Sequence, residues 1–163
     1  MASSESAIDH PTVRTVAEHL AAAGVHGRIV ELAEPAPTAD AAASQLGCEV
    51  GAIANSLIFD ADGEPLLVLT SGAHRADTAR LAATVGAARV RRAKPEFVAR
   101  HTGQVIGGVA PVGHPQPVRT LVDNWLARYD EVWAAGGHAH TVFPTTYDEL
   151  LRITEGTAAD VGD

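Results

Sequence analysis

The stretch IANSLIFDADGEPLLVLT, residues 53–70, decides the fold of this chain. It contains two apolar runs, residues 53–59 and 66–70, separated by Asp60-Ala61-Asp62-Gly63. Two apolar runs joined by a short segment rich in Asp and Gly are typical of a β-hairpin. The neighbouring strands of the sheet must therefore include at least one antiparallel pair.

Helices and strands are predicted on both sides of this hairpin. Apolar residues spaced three or four apart predict helices at residues 12–23, 39–46, 75–85, 94–101 and 147–153, with a helical turn at 124–127. Strands are predicted at residues 28–32, 89–92, 118–121, 131–135 and 141–143, and a glycine-rich strand and loop at 105–114. Interleaved helices and strands with one clear hairpin predict an α/β fold with a single domain, a mixed β-sheet flanked by helices.

The length of 163 residues fits one domain, which we expect to occupy residues 11–156. Residues 1–10 are predicted to be disordered, and residues 157–163 to form a loose acidic tail. No apolar run approaches the roughly 20 residues of a membrane span, and the first residues do not form a secretory signal. Cys48 is the only cysteine, so no internal disulfide is possible. These features predict a cytoplasmic protein without a membrane partner.

The charge of the chain is unevenly distributed. The formal net charge of −8 argues against a protein that coats a nucleic acid. Residues 75–100, however, contain seven of the twelve basic residues and two acids, a local balance of +5 (seven minus two). Such a window can contact a small part of a polyanion, although a solvated face of helix and strand would look the same. Five basic residues of this window are called the basic patch below: Arg75, Arg89, Arg91, Arg92 and Lys94.

Several common catalytic motifs are missing from the sequence. There is no Gly-x-Ser-x-Gly elbow, and His114-Pro115 stands where a P-loop requires Lys-Ser/Thr. His138 and His140 are two residues apart and could share one face of a strand as metal ligands, with His114 or Asp123 as a third ligand. Histidines beside glycines are more often polar loop residues, so we predict neither a metal nor another cofactor.

The segment GGVAPVGH, residues 107–114, is the most informative candidate for chemistry. Paired glycines allow a backbone to approach a ligand closely, and Pro111 fixes the turn. The exposed N–H groups of such a loop can bind a carbonyl oxygen or a developing oxyanion. A glycine-rich bulge or tight turn without catalytic function would have the same sequence.

Six short segments follow one another in a specific order along the chain. They are residues 53–59 (IANSLIF), Arg75-x-Asp77, Thr102-Gly103 leading to residues 107–113 (GGVAPVG), residues 121–123 (LVD), Gly136-Gly137, and residues 148–150 (DEL). Their order and spacing resemble the YbaK/ProX family, the free-standing relatives of the editing domain inserted in bacterial prolyl-tRNA synthetases. The resemblance extends over residues 13–156, almost the whole chain.

This resemblance implies a mixed-sheet α/β fold and hydrolysis of the ester that joins an amino acid to the 3′-terminal adenosine of a tRNA. Substrates in the family include cysteine or alanine wrongly attached to proline tRNA, and the family uses no metal. Its catalysis depends on positioning and on groups of the substrate, such as the ribose 2′-hydroxyl or a substrate thiol. The implied partner is the acceptor end of a mischarged tRNA, with an aminoacyl-tRNA synthetase as a further candidate.

The resemblance also implies roles for individual residues. The catalytic candidates are Asn55, Gly107, Gly108 and His138, of which Asn55 would position the ester and His138 would line the entrance. The candidates for substrate binding are Ile53, Ser56, Ala110, Pro111, Gly113, His114, Asp123 and Gly137. The basic patch would hold the acceptor stem of the tRNA.

The chain departs from the family pattern at the position of Asn55, where many members have a lysine. Asn can hydrogen-bond but supplies no charge, and His74 or Arg75 could supply a replacement cation. The family often has Ser-Pro-Phe-Gly where this chain has Ala110-Pro111-Val112-Gly113. Two hypotheses follow: an active deacylase, or a binding module of the same fold that lost turnover with the lysine. Both hypotheses require the hairpin of residues 53–70 and the diglycine turn, defined as Gly107-Gly108, to face each other across a cavity.

Overall fold

The hairpin predicted from residues 53–70 forms the centre of the structure. In the computed structural model, which describes residues 6–163, strand β2 (Ile53–Ala61) pairs antiparallel with β3 (Glu64–Ser71). The turn between them is Asp62-Gly63, with φ values of 53° and 92°. Positive φ at both turn residues matches the right-handed twist of the flanking strands. Both strands extend two residues further into the turn than the apolar runs, residues 53–59 and 66–70, predicted.

Helices and strands alternate along the rest of the chain. The helices are α1 (Pro11–Ala22), α2 (Ala39–Leu46), α3 (Thr78–Val85), α4 (Pro95–Thr102) and α5 (Tyr147–Thr154). The other strands are β1 (Val30–Glu31), β4 (Val90–Arg92), β5 (Arg119–Asp123), β6 (Val132–Ala135), β7 (Thr141–Thr145) and β8 (Thr157–Ala159). Thr38 and Thr146 cap α2 and α5 by accepting from the backbone amides of Ala41 (3.2 Å) and Glu149 (3.1 Å).

The sheet contains both parallel and antiparallel pairs. Its strand order is β1-β7-β6-β2-β3-β5-β8, and β4 pairs with β2 outside this path. The β2–β6, β3–β5 and β5–β8 pairs are parallel, whereas the β1–β7, β6–β7, β2–β3 and β2–β4 pairs are antiparallel. The prediction of a single α/β domain with a mixed, helix-flanked sheet is confirmed.

Strand β3 is buried on both faces and is apolar at four successive positions. Leu66, Leu67, Val68 and Leu69 are each at most 1 % exposed. Leu67 and Leu69 pack on one face with residues of α1, α4 and α5, whereas Leu66 and Val68 pack on the other face with Leu81 of α3. A continuous apolar run is the pattern expected of a strand covered on both sides.

The two ends of the chain differ from the sequence predictions. Half of the predicted disordered segment, residues 1–5, lies outside the described residues, and Ala7–Asp9 form a 3₁₀ turn. Residues 157–163 do not form a loose tail, because β8 extends the sheet beside β5 and Val161 is fully buried. Within residues 6–163, no helix has the length and apolarity needed to cross a membrane.

Candidate active site

The sheet divides at one edge of β2, and this division creates a cavity. Strand β6 pairs with β2 only at Ile53 and Ala54, whereas β4 pairs with it only from Phe59 to Ala61. Within the described residues 6–163, no strand therefore pairs with residues 55–58 on this edge. A cavity of about 550 Å³ lies there, which is a volume typical of small-molecule sites.

Main-chain groups of Ser56 face the division in the sheet. The Ile53 carbonyl accepts from Gly72 N–H (2.9 Å), so odd-numbered residues of β2 bond towards β3. The Ile58 carbonyl accepts from Ala93 N–H (3.2 Å), so even-numbered residues bond towards β4. Since this direction alternates along a strand in an antiparallel sheet, both Ser56 N–H and Ser56 C=O point towards the unpaired edge. The Ser56 hydroxyl is also buried without a hydrogen-bond partner among residues 6–163.

The cavity collects many of the residues proposed from the sequence. Asn55 and Ser56 line it, and their side chains leave β2 on opposite faces because they are neighbours in a strand. Gly107 and His138 line the wall formed by two later loops. The hairpin and the diglycine turn therefore border the same hollow, as both functional hypotheses require.

The glycine-rich loop is held mainly by the buried side chain of Gln104. Its Oε1 accepts from Ala110 N–H (2.7 Å) and its Nε2 donates to Val112 C=O (3.1 Å). Gly108 N–H donates to Val105 C=O (3.1 Å) in a turn. These contacts explain why residues 105–114 form a loop without the strand that we predicted. In the described part of the chain, the amides of Gly107 and Val109, both in the cavity wall, find no acceptor.

His138 is held in the neutral form that donates from Nε2. Its Nδ1 accepts from His140 N–H (3.0 Å), so the single proton of the neutral ring belongs on Nε2. Burial lowers the pKa of His138, and the nearby rings of His10 and His140 lower it further because they disfavour a second positive charge. His138 is therefore a neutral hydrogen-bond donor in the cavity wall at pH 7.

His74 also lines the cavity, and it is held by a buried carboxylate. Asp123 is 0 % exposed, and its Oδ2 lies 2.8 Å from His74 Nδ1. The same carboxylate accepts from Ser71 N–H (2.9 Å) and Trp125 N–H (3.0 Å). The Trp125 ring packs against the His74 ring at a centroid distance of 4.7 Å. The sequence suggests His74 only as a replacement cation and contains no local signal for its pairing with Asp123.

Most of the other residues proposed for substrate binding lie outside the cavity lining. Ile53 packs with Ala42 and Ala43 under α2. Six more are buried or half-buried and are not part of the lining: Ala110, Pro111, Gly113, His114, Asp123 and Gly137.

The basic patch is only partly at the cavity. Arg75 and Arg92 line it, whereas Arg89, Arg91 and Lys94 are exposed on and beside β4. Arg91 forms an ion pair with Asp60 (3.5 Å). The patch therefore extends from the cavity along the strand that borders the division in the sheet.

Two of the four residues considered as metal ligands already bind other groups of the protein. His114 Nε2 bonds to the Ala110 carbonyl (2.9 Å), and Asp123 holds His74. Among residues 6–163, no group of three or more His, Cys, Asp or Glu side chains is placed to hold a metal ion.

Acidification is expected to destabilise the fold through His114. Burial lowers the pKa of His114, and the hydrogen bond to Ala110 opposes this only in part. Because the pKa is lower in the folded state, the unfolded chain binds the proton first, and stability falls as the pH drops below about 6.5. Thermal unfolding between pH 7.5 and 5 should show a shallower fall for His114→Gln than for the wild type. Parallel curves would contradict this assignment.

Comparison with known proteins reveals close relatives. Residues 33–153 match the family model described as the aminoacyl-tRNA editing domain. The chain is 27% identical over 144 residues to the uncharacterized protein YwhH of Bacillus subtilis, covering 88% of this chain and 91% of that protein. A crystal structure described as a proposed trans-editing enzyme for prolyl tRNA synthetase superimposes with a TM-score of 0.88 and 41% identity, covering 94% of this chain and 98% of the other.

A larger enzyme also contains a matching segment. The proline–tRNA ligase of Levilactobacillus brevis is 30% identical over 109 residues, which are 67% of this chain but 17% of the ligase. The similarity is therefore confined to one part of that enzyme.

Proposed function

The chain belongs to the aminoacyl-tRNA editing domain family, as its resemblance to YbaK/ProX proteins predicted, and from this we propose that it is an aminoacyl-tRNA deacylase. It hydrolyses the ester of a mischarged tRNA in trans. The observation that carries the proposal is the cavity at the unpaired edge of β2, bordered by Asn55, Ser56, Gly107 and His138.

The cavity walls offer donors for the oxygen of the ester carbonyl. His138 donates from Nε2, and the amides of Gly107 and Val109 border the same space. When water attacks the ester, negative charge develops on the carbonyl oxygen, and fixed donors stabilise it most in a site shielded from solvent. The amide of Gly108 is not a donor to the ester, because it is already bonded to Val105 C=O within the turn.

The opposite wall positions the rest of the substrate. Ser56 provides its main-chain N–H and C=O, and Asn55 provides its side-chain amide. These groups are neutral donors and acceptors for the ester or the terminal ribose. We propose a small amino acid such as alanine or cysteine on proline tRNA. Arg75 and Arg92 at the cavity, continued by Arg89, Arg91 and Lys94, would contact phosphates of the acceptor stem. A partner synthetase and a cytoplasmic location belong to the same proposal.

A second candidate function follows from Asn55. A chain without the lysine of many relatives has lost a cation at the cavity, so it could bind the tRNA end, an amino acid or a protein without cleaving an ester. The cavity itself is compatible with both functions. Only turnover distinguishes them.

Deacylation of alanyl-, cysteinyl- and seryl-tRNA(Pro) by the wild type is the expected result. His138→Ala should lower the rate on the order of 10²-fold, because it removes one donor to the developing oxyanion. The measurement is release of labelled amino acid, with His26→Ala, an exposed histidine outside the cavity, as the matched control.

Asn55→Lys separates the two candidate functions. If the wild type is inactive and Asn55→Lys gains activity, the chain is a binding module with a degenerate site. If the wild type is active and Asn55→Lys loses activity, Asn55 has an adapted role in catalysis. No release above the blank with any of the three tRNAs by either protein would rule out the deacylase.

A further inference from the structure

Two histidines line the cavity, and their neutral rings carry the proton on different nitrogens. His138 accepts at Nδ1 from a backbone N–H, so its Nε2 is a donor. His74 faces a carboxylate at Nδ1 (2.8 Å), so its Nδ1 carries the proton and the neutral ring keeps a lone pair on Nε2. The two rings therefore offer different chemistry to a ligand in the cavity that both residues line.

Asp123 can hold His74 in only one tautomer. The carboxylate already accepts two backbone N–H groups, from Ser71 and Trp125, and among residues 6–163 the histidine ring is its one further donor. As an ionised acceptor it requires a proton on His74 Nδ1. The Trp125 ring packs against the imidazole and restricts its orientation further. A buried carboxylate that fixes a histidine tautomer in this way is the arrangement that prepares a histidine to act as a base.

The register of the sheet places His74 beside the residues that would hold the ester. Ser71 at the end of β3 pairs with Ala54 of β2, and His74 N–H donates to Ser71 C=O (2.9 Å) in the turn that follows. The turn thus returns His74 to the end of β2 that carries Asn55. Both side chains line the same cavity.

We propose that His74, positioned by Asp123, is the general base of the deacylation. This inference rests on the proposed function and adds a protein base to a family chemistry in which substrate groups were expected to suffice. His74 Nε2 takes a proton from a water molecule as the water oxygen forms a bond to the ester carbonyl carbon. The negative charge that develops on the carbonyl oxygen is held by His138 and the loop amides.

The second half of the reaction returns the proton. The tetrahedral intermediate collapses, the bond between the carbonyl carbon and the ribose oxygen breaks, and the proton on His74 Nε2 passes to that ribose oxygen. The products are the free amino acid and a tRNA with its terminal hydroxyl restored. His74 ends the cycle neutral, and no other reactant than water is consumed. In this reaction His74 takes part in catalysis in a chain that lacks the family lysine at the position of Asn55, and it does so without a permanent charge.

His74→Asn tests the role of the ring while preserving its contact with Asp123, because the Asn amide can donate where Nδ1 does. We expect kcat to fall by about 10²-fold or more with KM little changed, and the melting temperature to stay near that of the wild type. His74→Ala should lose activity similarly and regain part of it when imidazole is added to the buffer. His26→Asn, outside the cavity, is the control and should keep wild-type kinetics.

Three outcomes would overturn the inference. One is a His74→Asn protein that keeps the wild-type kcat. Another is a folded His74→Ala protein whose activity imidazole does not raise. A third is a His74→Lys protein that keeps full activity, since it would show that a cation suffices. If the wild type itself releases no amino acid from any mischarged tRNA, the proposed function fails together with this inference, whereas an active wild type with an active His74→Asn variant removes only the inference.

Discussion

Asp123→Ala is expected to lower the free energy of unfolding by about 3–5 kcal/mol, a large share of the roughly 5–15 kcal/mol that holds a typical domain folded. The substitution leaves the amides of Ser71 and Trp125 and the Nδ1–H of His74 without their common acceptor. Each buried donor that loses its partner costs about 1–3 kcal/mol. Chemical denaturation followed by fluorescence of the two tryptophans measures the change.

The matched control is Asp160→Ala, because Asp160 is also a carboxylate bonded to a basic side chain. Its Oδ1 lies 2.8 Å from Arg80 Nη1, but its side chain is 68% exposed. Exposed ion pairs contribute only about 0–1 kcal/mol. An Asp123→Ala protein as stable as Asp160→Ala would show that the buried carboxylate does not organise the end of β3, and the basis for the His74 proposal would weaken with it.

The hairpin could be predicted because the signals that specify it are local. Apolar runs, a short Asp-Gly turn and threonine caps act over a few residues, so their spacing in the sequence is sufficient evidence. The cavity was anticipated in outline for a different reason. Family resemblance places the hairpin and the diglycine loop at one site, and the structure brings Asn55 and Gly107 to the same cavity.

The pairing of His74 with Asp123 could not be predicted from the sequence. The two residues are 49 positions apart, and they meet only because β5 lies parallel to β3 with Val122 opposite Leu69. That register places Asp123 beside the end of β3, where Ser71 N–H and the following turn are within reach. Neither the choice of neighbouring strand nor its register is encoded in residue spacing, since both depend on packing across the whole sheet.

The division of the sheet was missed for the same reason. Residues 55–58 look like any buried strand in the sequence, and nothing local shows that β6 pairs with one end of β2 and β4 with the other. The sequence predicts more residues of the glycine-rich loop at the site than the structure places there, because neighbouring residues in a tight loop face different directions. Gly107 therefore borders the cavity, while Ala110 and Gly113 lie behind it.

Gly108→Ala is expected to disrupt the active site through a clash with the backbone at His138. A Cβ at Gly108 would lie 2.6 Å from His138 C, 2.7 Å from His138 Cα and 2.8 Å from Ala139 N. These are backbone atoms, which cannot move aside as the end of a flexible side chain can. Forcing them apart costs about 1–3 kcal/mol. A displacement of about 1 Å at His138 can lower the deacylation rate on the order of 10²-fold.

Gly86→Ala provides the control that separates a clash from the loss of a glycine. Gly86 ends α3 with φ of 73°, and a Cβ there would meet nothing within 4 Å. Its replacement should cost about 1 kcal/mol through backbone conformation alone and leave deacylation intact. Because Gly108 has no positive φ, its cost must arise from contact with the His138 backbone. A Gly108→Ala protein that matches Gly86→Ala in both melting temperature and rate would mean that the glycine loop does not set the position of His138.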